Sequence, residues 1–126
     1  VSNLDVNAVT AEIVDAAIAV HRELGPGLLE SAYESCLAFE LNRRGLAVQR
    51  QLELPVVFQG HQVDAGYRLD LLVEDVVIVE LKAVDEIAPI HKAQLLSYLK
   101  LSKKPVGLLI NFNVRLLKDG ITRLAN

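Results

Sequence analysis

The stretch Val76-Val77-Ile78-Val79-Glu80-Leu81-Lys82 restricts the fold more than any other part of the chain. Val76 to Leu81 is a nearly continuous apolar, β-branched run, which suits a central strand covered on both faces. Glu80 and Lys82 interrupt that run at its end. Two residues apart, they share one face of the strand. An unpaired charge is expensive inside a sheet, so both must be paired, solvated at an edge, or held by an ion.

The rest of the chain supplies the layers such a strand requires. Val9, Ile13, Ala16, Ala17, Val20 and Leu24 recur at helical spacing and predict a helix over about Val6 to Glu23, stopped by Gly25-Pro26-Gly27. Leu29, Ala32, Tyr33, Cys36, Leu37 and Leu41 predict a second helix from about Leu28 to Arg44, ended by Gly45. Leu46–Gln51 and Leu54–Phe58 read as a strand, or two pieces of one, interrupted near Pro55 at an edge or bulge. Gln59-Gly60 marks a turn, a second strand spans about Gln62 to Val73, and Glu74-Asp75 breaks it from the central strand. Pro89 opens a helix running to about Leu101. Val106–Asn111 is a buried strand, followed by a short hairpin about Asp119-Gly120. The order α-α-β-β-β-α-β-β predicts an α/β (α+β) domain with a mixed central sheet flanked by helices.

At 126 residues the chain has the length of a single domain, and its 52% hydrophobic content suffices for a core. Cys36 is the sole cysteine, which excludes an internal disulfide and cysteine metal clusters and suits a small core residue. His21, His61 and His91 are scattered, so a zinc site is not expected. His21 reads as structural, near a helix C-terminus. No apolar run approaches the roughly 20 residues of a membrane span and no signal pattern opens the chain, so a soluble, cytoplasmic protein is expected. The net charge of −3 argues against a broad nucleic-acid surface, although an acidic metal site itself lowers net charge. No phosphate-cradling glycine loop and no nucleophile elbow is present.

Asp70 precedes the central strand on its neighbour and can approach Glu80 and Lys82. Two carboxylates beside an ammonium fit a Mg²⁺ site at which a bound water is activated against a phosphate. The connection decides whether they meet. With a strict two-residue loop at Glu74-Asp75, Asp70 would pair with Val79 and point away from Glu80. The metal reading therefore requires one extra residue, in a three-residue loop or a bulge, so that Asp70 faces Glu80. The alternative is an edge ion pair of Lys82 with Glu80 or Asp70. Glu30 borders the core-facing stripe of the second helix and either reaches a buried partner or lies in water. Gln94 and Tyr98 share one helix face and form either a polar support to a site or an amphipathic boundary.

Together these residues resemble the GxxExxY family of the PD-(D/E)XK nuclease superfamily. The naming motif stands as Gly27-Leu-Leu-Glu30-Ser-Ala-Tyr33, after Val20-His21-Arg22-Glu23-Leu24-Gly25-Pro26. Tyr67 to Val73 and Val79 to Ala83 are similar to its active-site strands. Gln94-Leu-Leu-Ser-Tyr98-Leu and Gly107-Leu-Leu-Ile-Asn111-Phe112 are similar to its later helix and strand. The likeness runs from about Val9 to Arg123. It implies a restriction-endonuclease-like αβββαβ core with an extra N-terminal helix. It further implies Asp70 and Glu80 as metal ligands, Lys82 as the catalytic lysine, Glu30 as the helix carboxylate of the acidic cluster, and Gln94 as an auxiliary catalytic residue. Leu69 stands where the conventional proline would precede the first aspartate.

The expected activity is Mg²⁺- or Mn²⁺-dependent phosphodiester hydrolysis of DNA or RNA, with the Leu81 carbonyl as a further metal ligand. Tyr33, Arg68 and Tyr98 are expected as auxiliary site residues, and Arg22, Arg43, Arg44, Arg50 and Arg68 as phosphate contacts. The competing expectation is a non-catalytic module that keeps the fold and binds nucleic acid or protein. The small size and acidic balance also leave a homodimer open.

Overall fold

The computed structural model describes residues 5–126. Helix α1 (Val6–Leu24) is capped by Asp5, whose carboxylate accepts from the Asn7 N–H, and ends at Gly25 with a φ of 70°. Helix α2 (Glu30–Arg43) follows the Gly25-Pro26-Gly27 turn. The strands are β1 (Val48–Glu53), β2 (Val56–Phe58), β3 (His61–Val63), β4 (Arg68–Val73) and β5 (Val77–Lys82). Helix α3 (Pro89–Ser102), β6 (Val106–Asn111), a 3₁₀ turn (Leu117–Gly120) and β7 (Ile121–Ala125) complete the chain.

Five strands form one mixed sheet in the order β1-β4-β5-β6-β7. Only β5 and β6 run parallel, which is the arrangement a crossover through α3 produces. The other neighbours are antiparallel. Two apolar layers sandwich the sheet. On one face Ile13, Ala17, Tyr33, Leu37 and Leu41 of α1 and α2 pack against Leu71, Val73, Val77, Val79 and Leu81. On the other, Leu95, Tyr98 and Leu99 of α3 pack against Leu69, Leu72, Ile78 and Leu109. Strand β5 contributes to both layers, as its β-branched run requires.

Two elements differ from the sequence expectation. The strand expected over Gln62–Val73 is broken: β3 ends at Val63 and β4 begins at Arg68. Asp64 accepts from the Gly66 N–H at 3.1 Å, and Gly66 adopts a φ of 78°, so local turn bonds displace the ladder there. Strands β2 and β3 consequently form a separate hairpin inserted into the β1-β4-β5 meander. The hairpin expected about Asp119-Gly120 is instead a 3₁₀ turn that delivers β7 antiparallel to β6.

Candidate functional site

The connection between β4 and β5 determines which side chains meet. Glu74 and Asp75 both take left-handed conformations, with φ of 52° and 60°, and the Val76 N–H donates to the Val73 carbonyl at 3.1 Å. Val76 is the extra residue: Val73 stands opposite Val77 and Leu71 opposite Val79. Continued one step, that register sets Asp70 opposite Glu80. Along β5, Val77, Val79 and Leu81 enter the α1/α2 layer and Ile78 the α3 layer, so alternation directs Glu80 and Lys82 toward the α3 side.

Strand β4 is irregular at Asp70. Leu69 and Leu72 lie in the same α3-side layer although they are three apart, which strict alternation forbids. Across the ladder, Arg50 pairs with Leu71 and Leu52 with Leu69, and the residue between them, Gln51, has a φ of 51°. This kink keeps the Asp70 carboxylate out of the apolar layer and directs it along the sheet edge toward β5. There the Leu81 N–H donates to Asp70 Oδ2 at 2.9 Å, and the Asp70 N–H donates to Glu80 Oε2 at 2.8 Å. Side-chain carboxylates thus take over two amide donors just where the backbone ladder stops.

The electrostatics follow from burial. Glu80 is 7% exposed, and its carboxyl pKa is pushed up to about 8, first by desolvation and then by the Asp70 charge. Burial also raises the Asp70 carboxyl, opposed by the Leu81 N–H and reinforced by the charge of Glu34. Half-buried Lys82 lowers both, yet among the described residues it forms no ion pair. The edge ion pair left open by the sequence is therefore not formed.

Glu34, which the sequence pattern does not single out, is the third carboxylate of this region. It is buried on α2, accepts from Arg50 Nε at 3.2 Å and Nη2 at 3.1 Å, and accepts from Gln51 Nε2 at 2.7 Å. Gln51 Nε2 also reaches Asp70 Oδ1 at 3.4 Å, and the Glu34 charge raises both Asp70 and Glu80. The available signal was its position one helical turn after Glu30 on the same face. Glu30 itself is exposed; its Oε2 accepts from the Ala83 N–H at 3.3 Å, past the end of β5.

The remaining expected residues divide clearly. Tyr98 on α3 is buried in the layer with Leu69 and Ile78, on the face to which Glu80 is directed, and its hydroxyl is pushed up to about 12 by desolvation and then by Glu80, Tyr67 and Asp70. Gln94 is half-buried one turn earlier on α3. Leu81 contributes its backbone, its side chain being buried in the α1/α2 layer. Tyr33 is not beside the carboxylate pair. Its hydroxyl donates to the Gly25 carbonyl at 2.6 Å and accepts from the Leu28 N–H at 3.1 Å, while its ring stacks on Phe112 at 4.5 Å. It holds the turn between the first two helices.

Three of the five arginines expected to contact phosphate are committed elsewhere. Arg43 pairs with Glu40, Arg44 with Glu40, Glu12 and Asp15, and Arg50 with Glu34. Arg22 and Arg68 are exposed and form no ion pair among the described residues. His21 is buried with Nε2 bonded to the Val114 carbonyl at 2.8 Å, and His91 Nδ1 accepts from the Ala88 N–H at the start of α3. Among the described residues no three His, Cys, Asp or Glu side chains converge as a ready-made metal cage. A cleft of about 380 Å³ between α1 and α2, lined by Ala19, Cys36 and Phe39, contains none of the site groups. No helix among the described residues is long and apolar enough to cross a membrane.

A scan against protein-family models matches the PD-(D/E)XK nuclease superfamily over residues 7–124. Searches of curated proteins and of solved structures each returned no significant match. The five-stranded mixed sheet with helices on both faces is consistent with the restriction-endonuclease-like fold of that superfamily, whose enzymes generally use divalent metal ions and act on nucleic acids. The matched segment runs from the first helix to the last strand, and the chain belongs to the PD-(D/E)XK nuclease superfamily.

Proposed function

We propose that the chain is a Mg²⁺- or Mn²⁺-dependent phosphodiester hydrolase of the GxxExxY type, acting on DNA or RNA. The observation that carries this reading is the facing of Asp70 and Glu80 across β4 and β5, with Lys82, which forms no ion pair among the described residues, two residues further on. The donor set fits a hard divalent cation. Two carboxylates that burial makes costly to ionise, and that have no cationic partner among the described residues, are stabilised by such an ion. Mg²⁺ in particular uses one or two carboxylates and keeps several waters, so a full protein cage is not required.

In this reading Asp70 and Glu80 would hold the ion, and the Leu81 carbonyl, beside the amide that Asp70 accepts from, would be a further ligand. Glu34 takes the helix-carboxylate role expected of Glu30, because its charge acts on both strand carboxylates. When bound there, such an ion would lower the pKa of a water and offset charge building on the phosphate. Lys82 orients the attacking water and shares in stabilising that charge. Gln94 and Tyr98 border the same side from α3.

Cleavage of single- and double-stranded DNA and RNA with Mg²⁺ or Mn²⁺ tests the reading. Loss of cleavage in Asp70→Ala and Lys82→Ala is expected; cleavage that survives both means another site or a contaminant. The net charge of −3 and the three committed arginines favour a second reading, a non-catalytic binding module. Titration calorimetry separates the two, since a module has no need of Mg²⁺. A homodimer would enlarge the basic footprint, and size-exclusion chromatography with substrate reads it.

A further inference from the structure

We propose that Tyr67 and Tyr98 form a stacking wall that holds an unpaired base beside the Asp70–Glu80 pair, making single-stranded nucleic acid the preferred ligand; this rests on the nuclease reading of that site. Tyr67 immediately precedes β4, three residues before Asp70, and its carbonyl accepts from the Leu54 N–H at 2.9 Å. Its backbone is thereby held to the far end of β1, while the Asp64–Gly66 turn bond orders the approach. The side chain is left 43% exposed. Its ring lies 6.0 Å from that of Tyr98, inclined at 59°, so contact with Tyr98 covers only part of it. Tyr98 is 6% exposed and its hydroxyl feels the charges of Glu80 and Asp70. The wall therefore runs from buried Tyr98, packed with Leu69 and Ile78 on the face to which Glu80 is directed, to solvent at Tyr67.

Tracking a duplex backbone requires a run of free cations. Here Arg43, Arg44 and Arg50 are bound to carboxylates, while Lys82 at the site and exposed Arg68, next to Tyr67, are without an ion pair among the described residues and supply the few phosphate contacts a single strand needs. Stacking of a base on an aromatic ring does not depend on charge. Bases inside a duplex already use their faces on one another. A site carrying an open aromatic ring is matched to a strand whose bases are free.

The test is fluorescence anisotropy with a short fluorescein-labelled oligothymidylate and a labelled duplex of equal length, in Ca²⁺ to permit binding without turnover. Wild type is expected to bind the oligothymidylate more tightly than the duplex. Tyr67→Ala is expected to weaken oligothymidylate binding about tenfold or more while duplex binding is unchanged, and Tyr67→Phe to keep wild-type affinity. Thermal melts establish that both variants are folded. Equal binding by Tyr67→Ala and wild type, equal loss for both ligands, preference for duplex, or no binding of either ligand overturns the proposal. Tyr67-dependent binding in a protein that cleaves nothing with Mn²⁺ would leave the wall standing and remove the nuclease reading. Metal-dependent cleavage with binding indifferent to Tyr67 would do the reverse.

Discussion

Asp70 and Glu80 grip each other's strands: the Asp70 N–H donates to Glu80 Oε2 at 2.8 Å, and the Leu81 N–H donates to Asp70 Oδ2 at 2.9 Å. Two like-charged side chains are thus fixed face to face by backbone amides. A flexible surface pair would swing apart to relieve its repulsion, but these cannot without giving up hydrogen bonds. Burial first, and this repulsion second, raise the proton affinity of Glu80.

That proton affinity predicts a falling stability of the metal-free protein as pH rises. The Glu80 carboxyl moves from 4.5 to about 8 on folding, so the folded state holds the proton more tightly than the unfolded one. Its contribution is fully present below about pH 4.5 and is lost as pH rises through about 8. Each tenfold gain in proton affinity on folding corresponds to about 1.4 kcal/mol. Thermal melts in EDTA across this window should show a Tm that declines from about pH 4.5 to about pH 8 and levels off above it. Glu80→Gln, which cannot ionise, should flatten the decline, and Mn²⁺ should restore the wild-type Tm. An alkaline Tm equal to that of Glu80→Gln would show that the pair is not strained.

Lys82 shares the face of Glu80 and has no ion-pair partner among the described residues, so its charge is available to a ligand. Lys82→Ala should reduce cleavage by roughly 10²–10³-fold while metal affinity by calorimetry changes little. Lys82→Arg should not restore the rate, because a planar guanidinium cannot occupy the position of a compact ammonium. An active Lys82→Ala protein would leave the lysine as a spectator.

Tyr33 sits in the naming motif yet acts on the fold. Tyr33→Phe removes the bonds to the Gly25 carbonyl and the Leu28 N–H and keeps the stack on Phe112. A loss of about 1–3 kcal/mol is expected, read as a lower denaturant midpoint. Specific activity of the folded fraction should be unchanged. A variant with full stability and lost cleavage would return Tyr33 to the site.

Motif residues with strong periodic surroundings were legible from sequence, and those placed by irregular backbone were not. The apolar run of β5 and the spacing of Glu80 and Lys82 led to the sheet centre and to the required extra residue, found at Val76. Alternation, however, offers no sign of a left-handed Gln51 in mid-strand, since glutamine seldom adopts that conformation and no glycine marks it. Glu34 was hidden for the same reason: its partners Arg50 and Gln51 converge on it only because β1 kinks there. The break after Val63 depends on an Asp64 side-chain bond that competes with the strand ladder, and a pattern of apolar residues does not register it.

The kink at Gln51 makes the most discriminating prediction. A non-glycine residue held at a φ of 51° costs of order 1 kcal/mol or more, and here it places one amide between Glu34 Oε1 at 2.7 Å and Asp70 Oδ1 at 3.4 Å. Gln51→Gly relieves the backbone strain and removes the amide, so stability should change little while cleavage falls. Glu34→Gln should lower metal affinity or rate by about 10–100-fold, the scale of groups that orient metal ligands. Glu30→Gln should have the smaller effect, because Glu30 is exposed and its side chain hydrogen-bonds, among the described residues, to the Ala83 N–H alone at 3.3 Å. Metal titration and cleavage measured on the three variants decide the matter: a larger loss in Glu30→Gln than in Glu34→Gln would move the helix carboxylate back one turn, and an unimpaired Gln51→Gly would reduce the kink to a feature of folding alone.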